Sequence, residues 1–265
     1  MKNDITIIVP VNNATGDFPE LFPKAIKSIE DQEIKPEKVL IVHCNCPGIK
    51  DWLKDWEKPE GLDIELLENA TGEDFCTQVN YGVEHTKTKW FSILEFDDEY
   101  SKIWLKNANI YMEHHTDVSV FLPIVVDVDH TNNFIGFTNE SLWAVSFSEK
   151  LGILDNPTLL RYQNYQLSGA LINTEDFLDI GGLKASMKLT FSYEFFLRAT
   201  YNDLEVMTVP KIGYRHMNMR EWSLFWNYKN HPKEKLRAEE AKFWVDLAKK
   251  EYFFSEDREI TFEIE

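Results

Sequence analysis

Apolar residues in the N-terminal part of the chain fall into short continuous runs that alternate with segments of helical spacing. Ile5-Thr6-Ile7-Ile8-Val9-Pro10-Val11 is a β-branched run closed by Asn12-Asn13, which predicts a strand buried on both faces that runs into a polar loop. Leu21, Phe22, Ala25, Ile26 and Ile29 then recur at helical spacing. A proline is accepted in a first turn, so Pro23 sets the start of this helix near Phe22, and the helix ends by Gln32, ahead of Pro36. Lys38 to His43 is a second buried run, and the three elements make a right-handed βαβ unit. A tryptophan-rich helix over Ile49 to Trp56, a strand over Ile64 to Leu67, a helix over Thr77 to His85 and a strand over Trp90 to Leu94 continue the pattern. Such alternation predicts an α/β fold with a mainly parallel sheet covered by helices on both faces.

The pattern is less regular afterwards. Val118 to Pro123, Leu142 to Val145 and Glu205 to Pro210 predict strands, while Thr174 to Ile180 predicts a short helix stopped by Gly181-Gly182. Tyr193 to Tyr201 predicts a further helix. From Lys233 to Lys250 a charged segment predicts a surface helix with Leu236, Phe243, Trp244 and Leu247 on its packed face.

In sheets of this kind ligands bind beyond the carboxyl ends of the strands. Asn12-Asn13, His43 to Asn45 and Glu95-Phe96-Asp97-Asp98-Glu99 all fall there. The acidic cluster is the most informative, because strand alternation points Glu95 and Asp97 to one side. Two convergent carboxylates can hold Mg²⁺ or Mn²⁺ through hard oxygen ligands, whereas a solvated acidic loop is the bland alternative.

Charge narrows the partners. With 45 acidic against 28 basic side chains, the formal charge of −17 repels a long phosphate backbone, which disfavours nucleic acid. A small anionic ligand in an acidic site calls for a bound cation. The 18 Phe, 10 Tyr and 8 Trp serve a large core and pockets for rings equally well. Three cysteines, Cys44, Cys46 and Cys76, suit structural thiols in a reducing compartment. No run is long and apolar enough for a membrane span, and Met1-Lys2-Asn3-Asp4 leads straight into a strand, so a cytoplasmic protein is expected.

Five segments in order resemble the inverting family-two GT-A glycosyltransferases: Ile7 to Asn12, Ala25 to Gln32, Val39 to Val42, Asn80-Tyr81-Gly82 and Leu94 to Asp98. The likeness is close through these segments and looser from Ser168 to Ser223. It implies a GT-A, Rossmann-like sheet flanked by helices over residues 1–225, with a nucleotide-binding half (1–110), an acceptor half (111–225) and a C-terminal helical extension over 226–265 packed on it.

The resemblance also implies roles. Pro10, Val11 and Asn12 would line the base of the nucleotide, and Asn80 would lie near ribose and phosphates. Asp97 matches the second acid of the family's Asp-x-Asp motif, a metal ligand, and Glu95 stands where the first Asp is usual. His43-Cys44-Asn45 replaces a common base-reading Asp, so His43 or Asn45 would contact the base of a UDP-type donor. A strict count from Arg198 puts Ser192 at the position of the family's catalytic base, leaving Glu194 as the nearby carboxylate to deprotonate the acceptor. His216 would join Asp97 on the metal, with Arg215 and Arg220 neutralising the diphosphate.

The expected activity is metal-dependent transfer of a sugar from a nucleotide-diphosphate donor to a hydroxyl, with inversion and with Mn²⁺ or Mg²⁺. The irregular segment from Val126 to Ser168, including Asn132, Asn133, Trp143, Tyr162 and Tyr165, is the expected acceptor wall. A degenerate binding protein of the same fold is the alternative, favoured by the altered Glu95, His43 and Ser192 positions. A nucleotidyltransferase is a weaker one, since Asn12-Asn13-Ala14-Thr15-Gly16 lacks a basic residue.

Overall fold

The computed structural model describes residues 3–12, 16–44, 48–140, 152–161, 163–218, 220, 221, 223, 226, 230 and 234–251. In chain order these form β1 (Ile5–Val11), α1 (Phe18–Glu30), β2 (Lys38–Cys44), α2 (Ile49–Asp55), β3 (Ile64–Asn69), α3 (Phe75–Glu84) and β4 (Trp90–Ile93). Then come β5 (Glu99–Tyr100), α4 (Trp104–His114), β6 (Val118–Val128), β7 (Phe134–Thr138), β8 (Ile153–Leu154), α5 (Asn156–Arg161) and β9 (Leu171–Asn173). The last elements are α6 (Thr174–Asp179), α7 (Phe191–Tyr201), β10 (Glu205–Met217) and α8 (Glu234–Glu251).

All the strands join one sheet in the order β3-β2-β1-β4-β9-β6-β10-β5, with β7 on β6 and β8 on β10. The first four neighbours are parallel, as are β6 and β10; β9 runs antiparallel between β4 and β6. The sheet is thus mixed and mainly parallel, as the alternation of elements predicts. Successive residues of β1 face opposite sides: Ile7 and Val9 pack with α1, α2 and α4, while Ile8 packs with α3, α6 and α7. Burial of both faces accounts for continuous apolar runs in place of alternation.

Local departures have physical reasons. Helix α1 begins at Phe18, ahead of the expected Phe22, with a proline at its first turn and Pro23 inside. Phe18 stacks on Phe22 at 5.0 Å and meets Trp52 edge-on at 5.1 Å, so its burial extends the helix backward. On α8, Phe243 is 58% exposed and Ala248 is buried, so the packed face is carried by Val245 and Ala248, against α7. Cys44 is disulfide-bonded, correcting the expected free thiol, and Cys76 is free and buried. The expected strand over 142–145 and residues Asn13, Asn45, Trp143 and Tyr162 lie outside the described residues. Among the described residues no helix is long and apolar enough to cross a membrane.

β10 determines where the site forms. Expected to stop at Pro210, it continues to Met217 through register shifts after Thr208 and Ile212. An irregularity is where a strand tolerates a proline, which cannot donate to the ladder. Gly213 lies there against Trp104, whose ring atoms would stand 2.4 Å from an added Cβ. The strand therefore delivers His216 to the acidic end of β4, where a loop had been expected.

Candidate active site

β4 ends at Ile93, and the chain then turns, with the Asp98 N–H donating to the Glu95 carbonyl at 3.1 Å. The turn cancels the strand alternation assumed from sequence and brings Glu95 together with Asp98. Ligand atoms of Glu95, Asp98 and His216 lie within 4.8 Å of one another, a set able to hold a metal ion. Asp98 is 2% exposed. It accepts from the Met217 N–H at 2.7 Å and lies 3.0 Å from His216 Nδ1. Asp97 turns instead to Arg220, whose Nε donates to it at 2.6 Å.

Glu95 is held on two sides. Ser168 Oγ donates to its Oε1 at 2.6 Å, and its N–H donates to the Tyr214 hydroxyl at 3.0 Å. Burial, with Asp98 and Asp97 nearby, pushes its carboxyl up to about 7. The Asp97 carboxyl is also raised by burial and by Asp98, against the pull of Arg220. For His216 burial opposes the charge, but Asp98, Glu95 and Asp97 outweigh it and raise the imidazole to about 10. Glu95 and His216 thus hold their protons more tightly than usual, and a divalent cation at this set would compete with those protons.

These groups open into a cleft of about 470 Å³. Of the residues selected from sequence, Asn12, Glu95, Asp97, Tyr165, Ser192, His216 and Arg220 line it. Pro10 and Val11 are buried within β1, and His43 is buried with Nδ1 3.0 Å from the Cys44 carbonyl. Asn80 binds Leu183, donating to its carbonyl and accepting from its N–H at 2.8 Å each. Arg215 pairs with Glu99 and Asn132. None of these five lines the cleft.

Glu194 is fully buried on α7. Arg198 Nε and Nη2 donate to its two oxygens at 2.9 and 3.0 Å, and Lys184 Nζ lies 3.3 Å away. Arg198 also binds the carbonyls of Ile180 and Gly182. The expected base is therefore corrected to a structural ion pair: its oxygens are committed and do not face the cleft, whereas Ser192 does. Missed from sequence were Asp98, Ser168, Gln166 and Tyr214. Only Asp98, inside the acidic run, carried a signal.

The mixed, mainly parallel sheet flanked by helices is that of a GT-A, Rossmann-like fold, and the carboxylate-imidazole set and its cleft lie beyond the strand ends, where such sheets bind ligands. The family model "Glycosyl transferase family 2" matches residues 6–168, more than half of the chain, and the chain belongs to that family. No curated protein sequence matches it. Among solved structures, S. aureus TarS is similar with a TM-score of 0.58 and 15% identity, covering 89% of this chain and 41% of that one. TarS 1–349 in complex with UDP-GlcNAc gives 0.62 and 14%, covering 92% and 72%. The mannosyltransferase PcManGT from Pyrobaculum calidifontis, in complex with GDP-Man and Mn²⁺, gives 0.63 and 13%, covering 86% and 61%. At these identities the likeness is one of fold, and this chain spans less than half the length of the first of these TarS chains.

Proposed function

We propose that this glycosyltransferase moves a sugar from a nucleoside-diphosphate donor to a hydroxyl acceptor by a single inverting displacement, with a divalent cation at Glu95, Asp98 and His216. The convergence of those three side chains within 4.8 Å carries the reading. Two carboxylates and one imidazole fit Mn²⁺ better than Mg²⁺, which prefers oxygen alone. When bound, the cation would offset charge on the diphosphate as it leaves.

The chain's own groups supply the rest. Arg220 lines the cleft with its guanidinium paired to Asp97 and Asp17, and its positive charge would favour the diphosphate. Tyr214 and Ser168 fix Glu95, and the Met217 N–H fixes Asp98, so the set is preorganised. Phe191, Tyr193, Trp226 and Val245 of α8 also line the cleft, offering rings and apolar surface to an acceptor. The C-terminal segment thus shares the cleft with the sheet. Acceptor deprotonation falls to a group other than Glu194. The complexes of the similar structures with UDP, UDP-GlcNAc and GDP-Man support UDP and GDP as the nucleotides to try.

The test is calorimetric binding, with turnover measured alongside, of UDP- and GDP-sugars with Mn²⁺, Mg²⁺ or EDTA, for the native chain and Asp98→Asn. Metal-dependent binding of one nucleotide, weakened at least about tenfold in the variant, is expected. Binding indifferent to EDTA and to Asp98→Asn would remove the metal from the reading. Binding without turnover across an acceptor screen would leave a sugar-nucleotide binding protein.

A further inference from the structure

Asp127 is a buried acid that the proposed chemistry does not use. It sits on β6 as the register partner of His216 on β10, so the two side chains leave the same face of the sheet. Thr138 Oγ1 donates to one Asp127 oxygen at 2.7 Å and Gln166 Nε2 to the other at 3.4 Å. Because a carboxylate oxygen accepts, the Gln166 amide must turn its nitrogen toward Asp127, leaving its carbonyl Oε1 for other company.

The backbone of Gln166 is held as firmly. Its N–H donates to Asn139 Oδ1 at 2.9 Å, and Asn139 Nδ2 donates to its carbonyl at 3.1 Å and to that of Pro123 at 3.0 Å. Asn139 is buried and adopts φ +65°, a left-handed conformation that asparagine tolerates. Two residues beyond Gln166, Ser168 meets Glu95. Gln166 therefore lines the cleft as a fixed polar group, bracketed by Glu95 through Ser168 and by His216 through Asp127.

We infer that Gln166, oriented by Asp127, accepts a hydrogen bond from a hydroxyl or amide N–H of the donor's sugar and thereby sets which sugar is taken. The inference rests on the donor reading above: a diphosphate at Glu95, Asp98 and His216 carries its sugar on a phosphate oxygen, next to the wall that Gln166 forms. A fixed acceptor favours a sugar with a hydrogen to give and is left unpaired by an epimer whose hydroxyl points away. Asp127 is a positioning residue that acts through the amide.

The experiment is calorimetry on the full chain with Mn²⁺, using UDP, UDP-glucose, UDP-galactose and UDP-N-acetylglucosamine, and GDP, GDP-glucose and GDP-mannose. In the native chain, sugars on the preferred nucleotide should differ by about tenfold or more. Gln166→Ala should keep free-nucleotide affinity within about twofold and bring the sugars within about threefold of one another. Gln166→Met, which keeps side-chain length without the carbonyl, gives the same readout should the alanine variant fail to fold. Asp127→Asn can donate to the Gln166 carbonyl and turn the amide over, so it should reorder the sugars while sparing the free nucleotide. A merely structural role would not reorder them. Retained discrimination in both Gln166 variants, or none in the native chain, overturns the inference while leaving the donor reading intact. If the native chain binds neither nucleotides nor conjugates, the donor reading fails and takes the inference with it.

Discussion

Arg220 Nε donates to Asp97 Oδ2 at 2.6 Å, joining residues 123 positions apart. The guanidinium also lies 5.0 Å from the centre of the Phe96 ring and 3.3 Å from Asp17, so one cation ties the acidic turn after β4 to the entry of α1. Arg220→Ala is expected to weaken nucleoside-diphosphate binding by about tenfold to a hundredfold, as for a lost charge-assisted pair. Arg220→Lys should recover only part, since an ammonium lacks the planar fork. Calorimetry decides; equal affinity in all three proteins would exclude Arg220 from the diphosphate.

The raised carboxyl of Glu95 makes stability depend on pH in the metal-free protein. Its folded value, about 7, lies above the ordinary 4.5, so the folded state holds the proton more tightly. The resulting stabilisation is complete below about 4.5 and is lost as pH rises through about 7. In EDTA, denaturation midpoints should fall across that window, and Glu95→Gln should flatten this part of the profile. A slope that survives the substitution would assign it to another group.

Glu194 and Arg198 form a pair whose separation exposes one uncompensated charge inside the protein. Glu194→Ala should cost about 3–5 kcal/mol of stability, read from urea midpoints. Nucleotide affinity per folded molecule should be unchanged, because neither partner lines the cleft. A variant of native stability would show that the pair contributes nothing to the fold.

Gly169 has φ +81°, and an added Cβ would stand 2.5 Å from the Tyr214 ring. Gly169→Ala therefore combines left-handed strain with displacement of the ring whose hydroxyl fixes Glu95. A loss of about 2 kcal/mol or more is expected, with weakened Mn²⁺ binding in the folded fraction. Thermal melts with and without Mn²⁺ separate the two effects.

β1, β2 and β4 were legible because both their faces are buried, so they announce themselves as apolar runs, and an acidic turn after such a run points to a site. Asp97 and Asp98 could not be told apart in this way. Alternation was carried four residues past the true end of β4, to Asp97, and the turn closed by the Asp98 N–H reassigns which acid faces Glu95. His216 was found through resemblance, yet its place on a strand was hidden by Pro210, whose ladder defect β10 absorbs as a register shift. Glu194 misled for a related reason. An acid four residues before an arginine on a helix reads equally as a catalytic group or an internal pair, and only the burial of α7 decides between them. Gln166 and Asp127 fall within the segment expected to form the acceptor wall but could not be singled out there, since their link spans 39 positions from a strand to a loop.

The continuation of β10 past Pro210 also bears on how the molecule comes into being. His216, Met217 and Arg220 reach the acidic turn across 118, 119 and 123 positions. On the ribosome, the turn after β4 emerges long before these partners, and contacts of such separation form late. A half-made chain can display its first strands yet lack His216, Met217 and Arg220, so the acidic turn gains these partners only after synthesis has passed Arg220.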